Sequence, residues 1–260
     1  MRIIIFSQGD SITIPKNIIK LNKIDDIEIL SVIEIANKGA LKNKKLLFLK
    51  GFGIMQASKL GLIFLWKKIL NFLDLITFYS FLETPHCLST AAKRCNAIYH
   101  CIDNPNDKRF LDDLVKMNVD ICVSFSSPSV FGKRLLSIPS YGCINLHCSL
   151  LPKYAGLLPS FWALYHNEKK IGATVHYMDD KIDNGEILGQ IEVKAPINPS
   201  MFKVIKLTKG LGGDLMSDVI CSIKNKTLKP QRNIENKGNY YSWPSIEQIR
   251  NFRKNGGRLI

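Results

Sequence analysis

The stretch Cys143-Ile144-Asn145-Leu146-His147-Cys148-Ser149-Leu150-Leu151-Pro152-Lys153-Tyr154-Ala155-Gly156 sets the reading of the whole chain. An apolar run ends here in two side chains that can do chemistry, Asn145 and His147, before Leu151-Pro152 and Gly156 break it. If residues 142–147 form a strand, side-chain alternation puts Asn145 and His147 on one face. Proline fixes φ and withholds an N–H, so the chain must leave as a loop, with both residues near the strand's carboxyl end. Open α/β sheets bind ligands at that end.

Upstream, residues 2–6 read as a buried parallel strand, followed by a turn at residues 7–11 and a short helix from Pro15 to Leu21. Residues 26–35, 96–102 and 119–125 supply further strands, and residues 108–117 a helix after the capping-type turn Asn104-Pro105-Asn106-Asp107. Downstream, residues 187–193 read as a strand. Residues 201–223 have helical apolar spacing that Gly210, Gly212 and Gly213 weaken or split. A short amphipathic helix closes the chain at 245–253. Strand–helix alternation of this kind predicts a doubly wound, mostly parallel α/β sheet, with a core over 1–195 and a small helical C-terminal extension over 196–260.

One segment departs from this pattern. Residues 46–82 are strongly apolar, and Lys67, Lys68, Asn71 and Asp74 form one polar stripe on a helical period. Lys67-Lys68 interrupts the run and leaves each half too short to span a bilayer. A helix buried in the domain, an oligomer contact and a membrane-surface helix all fit that pattern.

The chain has 260 residues and a net charge of +14. From Lys194 to Ile260 there are thirteen Lys/Arg against four Asp/Glu, so an anionic partner near the C-terminal quarter or a solvated basic surface is expected. The seven cysteines include no Cys-x-x-Cys pair. Reduced thiols, a cytoplasmic location and no metal site are the expectations. The start, Met1 to Phe6, is too short an apolar run for a signal peptide.

The motif Asn145-x-His147-x-Ser149-Leu150-Leu151-Pro152 resembles the signature of the folate-dependent formyltransferases. A second block agrees with it, Gly172-Ala173-Thr174-Val175-His176-Tyr177 followed by Asp183-Asn184-Gly185-Glu186-Ile187. The resemblance implies a Rossmann-like formyltransferase core and N10-formyltetrahydrofolate as co-substrate. It also implies catalytic roles for Asn145, His147 and Asp183, with His176 in support. Formyl transfer to an amine needs a proton acceptor, donors for the oxyanion and protonation of the leaving nitrogen. His147 suits the first because imidazole titrates near neutrality, and Asn145 offers an uncharged donor. Alone, a strand-end histidine is ordinarily structural and Asp183-Asn184-Gly185 an ordinary tight turn.

By the same resemblance, backbone groups of two loops grip the folate, here Ser127, Ser129, Val130 and Phe131, and Met178, Asp179 and Asp180. The acceptor branch follows from Gly156-x-x-Pro159-x-x-Trp162-Ala163, which resembles the sugar-nucleotide N-formyltransferases. It implies a nucleotide-linked amino sugar, specifically a 4-amino-4,6-dideoxyhexose, used in surface polysaccharide (lipopolysaccharide or O-antigen) synthesis. Lys153, Tyr154, Trp162, Tyr240, Tyr241 and Trp243 are the residues expected to bind it, although the tail aromatics could equally anchor the tail. A methionyl-tRNA formyltransferase-like enzyme is the alternative, disfavoured by the short stretch after the core. The glycinamide ribonucleotide branch has a glycine-rich phosphate loop where this chain has only Gly9. A homodimer is expected and nucleic acid is not. A non-catalytic folate- or nucleotide-binding module is disfavoured by the joint presence of Asn145, His147 and Asp183.

Overall fold

The computed structural model describes all residues except 11, 37–45, 78, 80 and 235–239. Its centre is a seven-stranded sheet in the order β3-β2-β1-β4-β5-β7-β8. The strands are β1 (Arg2–Ser7), β2 (Glu28–Ile35), β3 (Ile98–Ile102), β4 (Ile121–Phe125), β5 (Cys143–His147), β7 (Lys170–Tyr177) and β8 (Ile187–Lys194). β1 to β5 run parallel, and β7 and β8 are antiparallel additions. A separate two-residue ladder pairs β6 (Ala155–Gly156) with β9 (Tyr240–Tyr241). The helices are α1 (Ile14–Leu21), α2 (46–52), α3 (Ile54–Ile76), α4 (Leu88–Arg94), α5 (Lys108–Lys116), α6 (Lys133–Ser137), α7 (Pro159–Tyr165), α8 (Met201–Lys224) and α9 (Ile246–Lys254). The doubly wound, mostly parallel sheet expected from the sequence is the one observed.

The uninterrupted apolar strands are buried on both faces, as parallel strands under helices must be. Ile3, Ile5, Val123, Ile144 and Leu146 pack on one side with α1, α4 and α8. Ile4, Phe6, Cys122 and Cys143 pack on the other with Leu111 and Leu114 of α5 and Leu135 of α6. Period-two alternation therefore assigns Cys143, Asn145 and His147 to the α5–α6 face. Asp107 caps α5 by accepting the N–H groups of Arg109 and Phe110, and Ser245 with Gln248 closes a capping box on α9.

The glycines at 210, 212 and 213 do not split α8, which is continuous. A side chain at Gly212 would overlap Leu146, and one at Gly213 would overlap Asn17. The glycines let the helix lie close against β5 and α1, and this packing outweighs their poor helix propensity of about 1 kcal/mol each. The same helix buries Met216, Val219, Ile220 and Ile223 in the sheet's core. Each such side chain contributes roughly 1.5–3 kcal/mol.

All seven cysteines are free thiols. Burial pushes the Cys95 thiol up to about 11 and also raises Cys122, so neither is poised to react. Unfolding midpoints with and without reductant should coincide. A drop of several degrees on reduction would contradict a thiol-only fold.

Candidate active site

β5 and β7 pair antiparallel with Asn145 opposite His176 and His147 opposite Thr174. Directly opposed residues share a face, so this register alone brings Asn145 and His176 together. The Asn145 amide N–H donates to Nε2 of His176 at 3.2 Å, while Nδ1–H of His176 donates to the Tyr177 carbonyl at 2.7 Å. Nε2 of His176 accepts from Asn145 in the neutral ring and becomes a donor toward Asp183 only when the ring is protonated.

The loop after β7 returns over the same face and delivers Asp183, whose backbone is left-handed at φ 51°. Its Oδ2 lies 3.3 Å from Nδ1 of His147 and accepts the Gly156 N–H at 2.8 Å. Its Oδ1 lies 3.4 Å from Nε2 of His176, and Asn233 donates to its backbone carbonyl at 3.0 Å. Burial pushes the Asp183 carboxyl up. The charge of His147, the hydrogen bond and charge of His176 and the Gly156 N–H outweigh that and hold it well below the usual carboxylate range. Asp183 is therefore a buried anion between two imidazoles.

His147 is buried, and its Nε2–H donates to the Tyr154 carbonyl at 2.8 Å. That bond fixes the tautomer, so Nδ1, facing Asp183, is the nitrogen that can gain and lose a proton. The two residues lie 36 positions apart in sequence, and only the fold makes them neighbours.

The loop that presents the Tyr154 carbonyl and the Gly156 N–H is itself held by the tail. Ala155 and Gly156 pair with Tyr240 and Tyr241, and Leu157 N–H donates to the Tyr241 carbonyl at 2.7 Å. Gly156 has φ 100°, and a side chain there would overlap the Tyr241 carbonyl and the Tyr240 ring. Glycine is required on both counts. Three contributors went unread as such in the sequence, namely the Tyr154 carbonyl, the Gly156 N–H and Asn233. Only Gly156 left a signal, as the last breaker of the opening motif.

The other expected site residues divide by exposure. Trp162 is buried, its indole N–H donates to the Ser242 carbonyl at 3.0 Å and its ring packs on Tyr241 at 4.8 Å, so it anchors the tail instead of facing a ligand. Tyr154 gives its hydroxyl to Glu168 at 2.9 Å and stacks on His166. Trp243 lies edge-on to Phe48 of α2. Lys153, on the rim, pairs with Glu168 at 3.3 Å, and Tyr240 stays 54% exposed with its ring over Gly156. In the two expected folate loops, Ser127 donates its hydroxyl to the Ser129 carbonyl, and Val130 is exposed. Phe131 is buried against Phe6, and Met178 packs, partly buried, against the same core. Asp179 holds the turn through Lys181 and Asn184, and Asp180 follows it on the surface. Phe131 and Met178, one from each loop, thus pack against the core on the α5–α6 face, which also carries Asn145 and His147. Among the described residues no cluster suited to a metal ion is present.

Comparison with known proteins agrees with this geometry. A family model described as formyl transferase matches residues 93–220, which include β5, β7 and the Asp183 loop. Over 138 residues, or 53% of the chain, the sequence is 33% identical to a methionyl-tRNA formyltransferase of Halothermothrix orenii, and the match spans 44% of that protein. A methionyl-tRNA formyltransferase of Lysinibacillus sphaericus is 36% identical over 117 residues, 45% of this chain and 37% of that one. The chain thus matches less than half the length of these relatives. Among solved structures, glycinamide ribonucleotide transformylase 1 of Symbiobacterium toebii superposes with a TM-score of 0.62 at 16% identity, covering 92% of each chain. A sugar N-formyltransferase from a Shewanella species superposes with a TM-score of 0.59 at 18% identity, covering 97% of this chain and 87% of that one. These structures share the fold. Sequence motif, site geometry and family match coincide on one stretch, residues 93–220, which is similar to the formyl transferases.

Proposed function

We propose that the protein transfers a formyl group from N10-formyltetrahydrofolate to the amine of a nucleotide-linked amino sugar, a 4-amino-4,6-dideoxyhexose. The observation that carries formyl transfer is the convergence of Asn145, His147 and Asp183, with His176, on one sheet face beside the two expected folate loops. Phe131 and Met178 are core side chains and the Met178 N–H already donates to Cys143, so recognition there falls to the remaining backbone groups. The folate supplies the formyl group at N10. His147 takes the proton of the attacking amine at Nδ1 and returns it to N10 as the C–N10 bond breaks, and Asp183 stabilises the imidazolium in between from 3.3 Å. Asn145, oriented by His176, has a second amide N–H to direct at the oxyanion.

The acceptor is argued from two features. The N-terminus of α1, where a phosphate would be cradled, is filled by the chain itself. Oδ1 of Asp10 accepts the N–H groups of Ile12, Thr13 and Ile14 at 2.8, 2.9 and 3.2 Å. That speaks against a glycinamide ribonucleotide phosphate in this loop. Tyr240, exposed above Gly156, provides a flat ring beside the site on which a nucleotide base can stack. The Gly156-x-x-Pro159-x-x-Trp162-Ala163 resemblance supplies the sugar. A second reading, charged initiator tRNA as acceptor, is favoured by the identity with methionyl-tRNA formyltransferases.

The deciding experiment offers nucleotide amino sugars, charged initiator tRNA and glycinamide ribonucleotide separately with formylfolate and looks for N-formyl product by mass spectrometry. Product with an amino sugar alone is expected. Formylation of the tRNA and of no sugar would replace the acceptor, and no product with any amine would end the reading.

A further inference from the structure

Helix α3 is amphipathic the wrong way round. Three residues of its polar stripe, Lys67, Asn71 and Asp74, face the protein, and Lys68 is exposed. Asp74 is fully buried, with its carboxylate 3.0 Å from the Arg94 guanidinium and accepting the Leu82 N–H at 2.8 Å. Asn71 accepts from the Thr90 hydroxyl at 3.3 Å, and Lys67 is half-buried. The apolar side faces out. Leu62, Leu65, Ile69, Phe72 and Ile76 recur at three- and four-residue spacing and are all exposed, Leu62 by 64% and Phe72 by 61%. Met55, Phe64, Trp66 and Leu75 widen this surface. Asp74 is the only buried residue of the 23 in the helix.

A continuous apolar face of this size on a folded protein marks an interaction surface. Two observations choose its occupant. The exposed apolar residues spread over about half of the helix circumference, wider than the two-position seam of a helix pair. The charges flanking them are of one sign. Residues 46–77 carry four lysines, Lys50, Lys59, Lys67 and Lys68, and one acid, Asp74, whose charge is consumed by Arg94. The whole chain adds a net charge of +14, which opposes association of two copies and favours an anionic surface. None of the helices in the described residues is long and apolar enough to cross a membrane.

From these features we infer that α3 is a docking element that lies in the surface of an anionic lipid membrane, its apolar face in the acyl boundary and Lys59 and Lys68 at the headgroups. Trp66, at the edge of the apolar face, occupies the position suited to an interfacial ring. The anchoring end of the arm is the protein itself. Phe52 of α2 packs against α9 through Phe252, at a ring distance of 6.2 Å, and Gln56 accepts the Leu259 N–H at 2.7 Å. The inference is independent of the acceptor.

The test is co-sedimentation of the full chain with vesicles of phosphatidylcholine alone or mixed with phosphatidylglycerol. Alongside it run the variants Leu65→Ser/Phe72→Ser and Lys59→Glu/Lys68→Glu, checked for folding by circular dichroism. These side chains leave the core untouched. Binding to the anionic vesicles is expected, reduced about tenfold or more in the apolar variant, and weakened by the charge reversal and by salt. No partition onto anionic vesicles would overturn the inference. So would a dimer, seen by sedimentation equilibrium, that the apolar variant dissociates while the wild type ignores vesicles.

Discussion

Replacing His147 by alanine should lower formyl-transfer turnover by about a hundredfold or more, the usual scale for a lost acid–base group. The fold should persist. His147 ends β5, and Asp183 keeps the Gly156 N–H and its neighbour His176 when the imidazole is gone. Asp183→Asn should cost a comparable factor for a different reason. Its amide can still occupy the space but cannot balance a proton on Nδ1 of His147. Binding of a folate analogue, measured by calorimetry, should change little in either variant, because neither side chain belongs to the two folate loops. Near-normal turnover in His147→Ala would remove the proposed mechanism. Lost analogue binding in Asp183→Asn would instead point to a collapsed loop.

The second large effect concerns stability. Lys209 is buried, and its ammonium group lies 2.8 Å from Oδ2 of Asp10, also buried. Burial pushes the Asp10 carboxyl up. Lys209 and the N–H groups of Ile12 and Thr13 outweigh this and lower it to about 2. Asp10→Asn leaves the lysine charge buried without a counter-charge, and the free energy of unfolding should fall by about 3–5 kcal/mol. Asp10→Asn combined with Lys209→Met removes both charges and should recover much of the loss, with the non-additivity measuring the pair directly. The pH dependence has a definite sign. A carboxyl whose pKa is depressed from 3.8 on folding stabilises the protein in full above the unfolded value, and that contribution disappears as pH falls toward about 2. Wild type should therefore lose stability in that acid window more steeply than the double variant. Urea unfolding at several pH values checks both statements, and equal stability of Asp10→Asn and wild type at neutral pH would refute the pairing.

How far the sequence could be read depended on the range of each interaction. β1, β4 and β5 were legible because local apolar runs bounded by breakers dictate buried strands. Asn145 and His147 were legible because two residues of one strand share a face by geometry alone. The partner of Asp10 lies 199 residues away in α8, so residues 7–11 read as a turn and nothing more. The continuity of α8 through Gly210, Gly212 and Gly213 was hidden because its cause is the surface of β5 and α1. The period of α3 was visible, but period does not say which face turns inward. A buried ion pair with Arg94 reversed the usual orientation. Trp162 read as a ligand contact because its motif carried it, whereas the partner of its indole, Ser242, comes from a tail 80 residues downstream.

The β6–β9 ladder has a consequence in time. It is two residues long, and with the Leu157 N–H bond to the Tyr241 carbonyl it ties the turn bearing the Tyr154 carbonyl and the Gly156 amide to the tail strand. So short a ladder opens far more often than the sheet beneath it, without global unfolding. When Tyr241 lifts, Leu157 loses its acceptor and the turn that steadies His147 and Asp183 is released with it. The lifetime of the aligned site is then set by the fraying of a short ladder and not by the durability of the core.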